Sequence, residues 1–233
     1  MALSEAQKTI CTNDSRFRVA VTGRRFGKTH CALRELARHA AKENQKVLYC
    51  APSYRMAKSI AWENLKVKLK ELRWVSQTNE AELTITLKSG SKIFLKGAEN
   101  KDALRGAGYD FIVLDEFQDL DAELWTAVLR PTLSDKKGKA MFIGTPRGVG
   151  SFSHDMYTMA KETKDWSAFT FTTIQGGQVD QLEIEEAKRD LDERTFQQEY
   201  EATFVNYSGM IYYNFNRQKN IIENYNKNHQ FLH

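Results

Sequence analysis

Four short stretches of this chain are apolar without polar alternation: Phe17 to Val21 (FRVAV), Lys46 to Ala51 (KVLYCA), Phe111 to Leu114 (FIVL) and Lys139 to Ile143 (KAMFI). A strand with one face in water alternates apolar and polar residues, so runs of this kind need cover on both faces. Amphipathic stretches between them supply it. Lys28 to Glu43 carries Leu33, Leu36, Ala37 and Ala40 at helical spacing, and Tyr54 to Leu72 carries Ile60, Leu65, Leu69 and Leu72; Asp121 to Leu133 is a further helix. Strands alternating with helices predict an α/β fold, doubly wound around a mainly parallel sheet. Glu82 to Lys96 departs from this pattern. Leu83, Ile85 and Leu87 alternate with Thr84 and Thr86, Ser89-Gly90 turns the chain, and Ile93 and Leu95 resume the alternation, which predicts a β-hairpin. After Gly150 come one more candidate strand, Trp166 to Thr173, a break at Gly176-Gly177, and a helical stretch from Gln181 to Phe204. From Asn206 onward the chain is rich in Asn and Tyr and has little periodicity.

With 233 residues there is room for one α/β core and a smaller appended subdomain. No apolar run approaches the roughly 20 residues of a membrane helix, and the N-terminal MALSEAQKTICTND lacks the basic-then-apolar layout of a signal peptide. Cys11, Cys31 and Cys50 have no CxxC spacing, which points to reduced thiols in a cytosolic compartment. A net charge of +4 leans only mildly toward polyanions, and the densest basic stretch, Lys66, Lys68 and Lys70, reads as a solvated helix face.

The chemistry concentrates at strand ends. Between the first apolar run and its helix lies Thr22-Gly23-Arg24-Arg25-Phe26-Gly27-Lys28-Thr29. The phosphate-loop pattern asks for Gly, four residues, then Gly-Lys-Ser/Thr. Here Thr22 stands where the first Gly belongs and Gly23 follows one place later. Gly27 lets successive N–H groups turn toward a phosphate, and the helix that follows adds the positive end of its dipole. Lys28 reaches β- and γ-phosphates in such a loop, and Thr29 offers a hydroxyl to Mg²⁺. The plain alternative is a chance GKT in a loop; a strand before it and a helix after it argue for the phosphate site.

Phe111 to Leu114 runs into Asp115-Glu116. A buried strand ending in carboxylates puts them in the crevice at the carboxyl edge of the sheet, where open α/β sheets bind ligands. Adjacent strand residues face opposite ways, so the two acids take different work: Asp115 in the Mg²⁺ shell, Glu116 orienting the attacking water. The competing reading is an acidic cap on the next helix.

Taken in order, GRRFGKT (Gly23 to Thr29), APSYRMAK (Ala51 to Lys58), ALRGAGYDFIVLDEFQ (Ala103 to Gln118), FIGTPRG (Phe142 to Gly148) and FQQEYEATFV (Phe196 to Val205) resemble the ATPase domain of tailed-phage large terminases over nearly the whole chain. The resemblance implies a RecA-like (ASCE) P-loop NTPase core over residues 1–175, a small helical lid subdomain over 176–205, and a linker over 206–233 toward a metal-dependent nuclease domain that lies beyond this fragment. It implies Mg-ATP hydrolysis that drives double-stranded DNA into a procapsid, by a ring (a pentamer) working with portal protein and the small terminase subunit in the cytoplasm of the infected host. Gly23, Arg24, Arg25, Phe26, Gly27, Lys28 and Thr29 then hold nucleotide, with Arg24 stabilising the γ-phosphate through its planar fork or else facing solvent. Gln7 matches the amide with which the family reads adenine, and Thr145 the coupling motif, whose plain rival is a Gly-Thr-Pro turn. Arg105 is either a finger toward a neighbouring subunit's nucleotide or a structural arginine, and Tyr54 packs on adenine or ribose or, more simply, in the core.

Two other classes share parts of these motifs. A helicase-like ATPase normally supplies two motor domains in tandem, and this chain has room for one. A scaffold that binds ATP without turnover has no use for Glu116.

Overall fold

The computed structural model describes residues 3–206. One eight-stranded sheet runs through it in the order β3-β4-β5-β2-β6-β7-β1-β8. Its strands are β1 (Phe17–Thr22), β2 (Lys46–Ala51), β3 (Val75–Asn79), β4 (Thr84–Leu87), β5 (Lys92–Gly97), β6 (Phe111–Asp115), β7 (Lys139–Gly144) and β8 (Trp166–Phe171). β5, β2, β6, β7, β1 and β8 are mutually parallel, while β3, β4 and β5 pair antiparallel at one edge. The expected hairpin is therefore β4–β5, and it carries an additional strand, β3.

Side-chain parity explains the uninterrupted apolar runs. On β6, Phe111 and Val113 enter one core while Ile112 and Leu114 enter the other; on β7, Met141 and Ile143 oppose Ala140 and Phe142. The first core is closed by helices α1 (Glu5–Thr12), α2 (Lys28–Ala40), α3 (Tyr54–Ala57) and α4 (Glu63–Glu71), through Ile10, Leu36, Ala57 and Leu65. The second is closed by α5 (Lys101–Leu104), a π-helical turn (Leu124–Leu129) leading into α6 (Arg130–Thr132), and α7 (Phe152–Glu162). Two further helices, α8 (Gln181–Asp190) and α9 (Glu193–Glu199), follow β8.

Several elements differ from the sequence expectations. α2 ends at Ala40, three residues before Glu43, as the chain turns through Lys42 toward β2. The stretch from Tyr54 to Leu72 is helical but passes through a π turn, Lys58–Trp62, between α3 and α4. Gln181 to Phe204 is two helices: the backbone turns extended at Leu191, and Asp192 caps the second, accepting bonds from the N–H groups of Arg194 and Thr195, each at 3.1 Å. No periodic signal anticipates α1, which starts with a capping box: Ser4 Oγ accepts from the Gln7 N–H and Gln7 Oε1 from the Ser4 N–H. α7 is likewise unmarked in the sequence reading. The linker expectation for 206–233 falls, apart from Asn206, outside the described residues. No helix among the described residues is long and apolar enough to cross a membrane. The basic helix face is largely neutralised: Lys66 pairs with Glu63 and Glu80 at 2.8 Å each, and Lys68 with Glu71 at 3.7 Å.

Arg18 is a charge inside a buried strand, only 1% exposed. Its guanidinium donates to Glu35 Oε2 at 2.6 Å and to the Ile10 carbonyl at 2.9 Å, and Arg38 binds both Glu35 oxygens at 2.8 Å. This network locks α1, β1 and α2 together beneath the phosphate loop. Burial alone would push the Glu35 carboxyl up, but its bonds to Arg38 and Arg18 hold it below the ordinary carboxylate value. Removing one member of a buried pair strands the other, at about 3–5 kcal/mol. Glu35→Gln is therefore expected to lower unfolding free energy by that amount in urea titrations at pH 7. Because the folded value is depressed, the stabilisation is complete above the unfolded carboxyl pKa of about 4.3 and is lost as pH falls through the lower folded value. The gap between wild type and variant is expected to close in acid.

Candidate active site

Three adjacent parallel strands end together. β7 lies between β1 and β6, with Gly144 in register with Val21 and Asp115 with Ile143. The loop after β1, the acids ending β6 and Thr145 after β7 thus meet on one edge, neighbouring strands being about 4.8 Å apart.

The loop after β1 is held from both sides. Gly27 sits at φ 92° as the N-cap of α2, and a Cβ there would meet Gln7 Nε2 at 2.5 Å and Gln178 Nε2 at 3.0 Å. Gln7 is 1% exposed, and its Nε2 donates to the Phe26 carbonyl at 2.7 Å. Its Oε1 is engaged with Ser4, so the side chain fastens α1 to the loop. Phe26 is buried and stacks on Phe171 of β8. On the other flank, Thr173 Oγ1 donates to the Arg24 carbonyl at 2.7 Å, and Gly176 packs so tightly that a Cβ would lie 2.5 Å from the Phe26 carbonyl oxygen. Gly23 allows a comparable approach to Thr173 and the Tyr200 carbonyl. The Thr22 hydroxyl, at the position of the missing first glycine, is buried and without a partner among the described residues.

Lys28 points from the first turn of α2 across to β7, where its Nζ donates to Thr145 Oγ1 at 2.9 Å. Burial lowers the Lys28 ammonium pKa, opposed by the charges of Glu116 and Asp115. Asp115 is buried; Tyr49 Oη donates to its Oδ2 at 2.6 Å and the Glu116 N–H to its Oδ1 at 3.0 Å. Burial pushes the Asp115 carboxyl up to about 6, helped by the like charge of Glu116. Glu116 itself adopts the left-handed region at φ 49°, which turns its carboxylate out of the strand. Gln118 then joins the parts: its Nε2 donates to Glu116 Oε2 at 2.7 Å, and its Oε1 accepts from the Thr145 N–H at 3.2 Å. Arg24, Lys28, Glu116, Gln118, Thr145, Arg147 and Glu199 surround a cavity of about 420 Å³, walled on its apolar side by Met56 and by Ile60 of the π turn.

The predicted residues do not all converge here. Arg24 lines the cavity with its guanidinium paired to Glu199 of α9, and its N–H donates to the Glu199 carbonyl at 2.6 Å. Arg25, at φ 59°, is exposed, and Thr29 is half-buried in the first turn of α2. Arg105 lies elsewhere, beside a second cavity of about 290 Å³ with Pro131 and Asp135, its nearest acid being Asp102 at 3.8 Å. Tyr54 is not a core residue: it is 38% exposed and its hydroxyl donates to the Ala81 carbonyl at 3.1 Å. Tyr49, Gln118 and Glu199 were not anticipated, since each acts through a partner on a different strand or helix.

The sequence pattern of the family described as terminase large subunit, T4likevirus-type, N-terminal, matches residues 19–219. The chain belongs to the terminase large subunit family. It is 34% identical over 206 residues to the large terminase subunit of Escherichia phage T5, covering 86% of this chain and 47% of that protein. The chain thus spans about half the length of this curated relative. Among solved structures, the ATPase domain of the Thermus phage P74-26 large terminase superposes with a TM-score of 0.77 at 24% identity, covering 86% of this chain and 93% of that one. The large terminase of another thermophilic bacteriophage, solved with ADP, superposes at 0.78 with 18% identity, covering 93% and 57%. These likenesses establish the fold as the P-loop, RecA-like one of terminase ATPase domains, in agreement with the sheet order.

Gly27→Ala is expected to destabilise the chain by about 1–3 kcal/mol, since it forces a non-glycine residue into a left-handed backbone and a side chain against Gln7. Thermal unfolding checks this, with an expected drop of about 2–4 °C per kcal/mol.

Proposed function

We propose that this chain is the ATP-hydrolysing motor part of a large terminase, and that hydrolysis drives double-stranded DNA into a procapsid. The observation that carries the reading is the convergence on one sheet edge of Lys28, Thr145 and Glu116, linked by hydrogen bonds beneath a phosphate-type loop. Relatives with this fold include a terminase solved with ADP and with ATP-γ-S, which supports nucleotide binding here.

In this reading the loop N–H groups and the first turn of α2 receive the phosphates. Lys28 exchanges Thr145 for the β- and γ-phosphate oxygens, which frees the Thr145 hydroxyl to report that nucleotide is bound. Glu116 orients the water that attacks the γ-phosphorus; the bond to the β-phosphate oxygen breaks, and the water's proton passes to the carboxylate or a phosphate oxygen. Arg24 leaves Glu199 to offset charge on the transferring group. The donor set fits Mg²⁺: Asp115 is a buried carboxylate at the end of β6, and Thr29 has its hydroxyl in the same turn as Lys28. When bound, Mg²⁺ neutralises the β- and γ-phosphate oxygens. Gln7 retains one N–H for an adenine contact, alongside its bond to Phe26. Arg105, exposed and outside its own nucleotide cavity, is available to a neighbour's site in a pentameric ring. Portal protein and the small terminase subunit complete the assembly in the host cytoplasm, with residues 1–175 as core and 176–205 as lid.

Mg²⁺-dependent phosphate release from ATP is expected for wild type and is expected to fall by at least about 100-fold in Glu116→Gln, with nucleotide affinity kept. Equal release by both proteins would remove Glu116 from the chemistry. Association with duplex DNA is expected to weaken steeply as salt rises; salt-independent binding would count against a backbone-tracking motor.

A further inference from the structure

We propose that Gln118 is the positioning residue for Glu116, tying the water-orienting carboxylate to Thr145 and through it to the lysine that senses phosphate. The inference rests on the reading of Glu116 given above and adds a residue that the phosphate-loop and acidic-pair motifs do not contain.

Glu116 has little else to fix it. Its backbone is left-handed, which frees its side chain from the packing a strand residue enjoys, and its neighbour in the sheet direction is the end of β7. The Gln118 amide spans that gap with both ends used, donating to Glu116 Oε2 at 2.7 Å and accepting from the Thr145 N–H at 3.2 Å. Its placement is enforced by the backbone. A 3₁₀ turn, Phe117–Asp119, returns the chain toward β7, where Gly144 leaves the space that Gln118 Oε1 fills; any Cβ at 144 would collide with it. Phe117, buried on Phe142 of β7, anchors the turn from below. The third link is Lys28 to Thr145 Oγ1 at 2.9 Å. An amide suits this post because it both donates and accepts without charge. A carboxylate in its place would repel Glu116, and an apolar side chain would leave the carboxylate free to turn. The consequence is a path of hydrogen bonds from the phosphate loop to the attacking water that crosses β7 at the threonine. Thr145 thus joins Lys28, held at its hydroxyl, to Gln118, held at its N–H.

The test is Gln118→Leu in the 233-residue chain, measured beside Glu116→Gln and the double variant. A positioning role is expected to lower kcat by about 10- to 100-fold while KM and the dissociation constant of ATP-γ-S change by less than about threefold. The thermal midpoint reports whether the fold is kept. In single turnovers with radiolabelled ATP, the double variant is expected to match Glu116→Gln, since Gln118 has no effect except through that carboxylate. A Gln118→Leu enzyme with wild-type kcat, or one whose loss lies in nucleotide affinity, overturns the proposal. So does a double variant whose rate falls by the product of the two single losses. Failure of the underlying reading looks different: there, Glu116→Gln itself keeps its turnover.

Discussion

A lysine ammonium removed from water loses stabilisation that the protein must make up, and in this chain Lys28 recovers part of it across a strand boundary. Its partners in charge are Glu116 and Asp115 at the end of β6, and its hydrogen-bond partner is Thr145 just after β7. Burial lowers its pKa, and the two carboxylates oppose that shift without cancelling it. That arrangement requires β1, β7 and β6 to lie side by side and end at one level, which the parallel register provides. Polyphosphate is the natural replacement partner for such a lysine, because it brings more negative charge than the threonine hydroxyl it displaces.

The rest of the fold serves to keep that edge in place. Two apolar cores clamp the central strands from opposite faces, so that Phe111 and Ile112, one residue apart, are anchored to different helical layers. α1 and the segment after β8 grip the phosphate loop from opposite flanks, through Gln7 on Phe26 and Thr173 on Arg24. The Arg18–Glu35–Arg38 network joins α1 and α2 to β1 below the loop. α9 reaches the cavity directly, with Glu199 on Arg24, so the helical segment after β8 is in contact with the loop after β1.

Much of this was legible in the sequence, and the exceptions share a cause. The central strands announced themselves because burial on both faces leaves no polar alternation; Asp115, Glu116 and Thr145 stood out as candidates because they follow such runs directly, and Lys28 because it sits in the Gly-Lys-Thr loop after the first one. Gln118 and Tyr49 escaped because their importance lies in bonds between strands, and strand order is not written in local periodicity. α1 escaped because it is eight residues long and its buried face includes the amide of Gln7. Glu199 was inside a recognised family segment, but its contact with Arg24 spans 175 positions. The π turns at 58–62 and 124–129 read as ordinary helix, since a single widened turn leaves the apolar spacing nearly unchanged.

The most direct test of the central claim, that Lys28 is the phosphate-binding ammonium of a nucleotide site, is calorimetric titration of ATP-γ-S into wild type and Lys28→Ala, with folding of both checked by circular dichroism. Saturable binding is expected for the wild type, with affinity weakened by at least about 100-fold in the variant, the order of a lost charge-assisted contact in a buried site. A folded Lys28→Ala protein that binds as tightly as wild type would contradict the claim, and would leave the bond to Thr145 as a structural feature of the sheet edge.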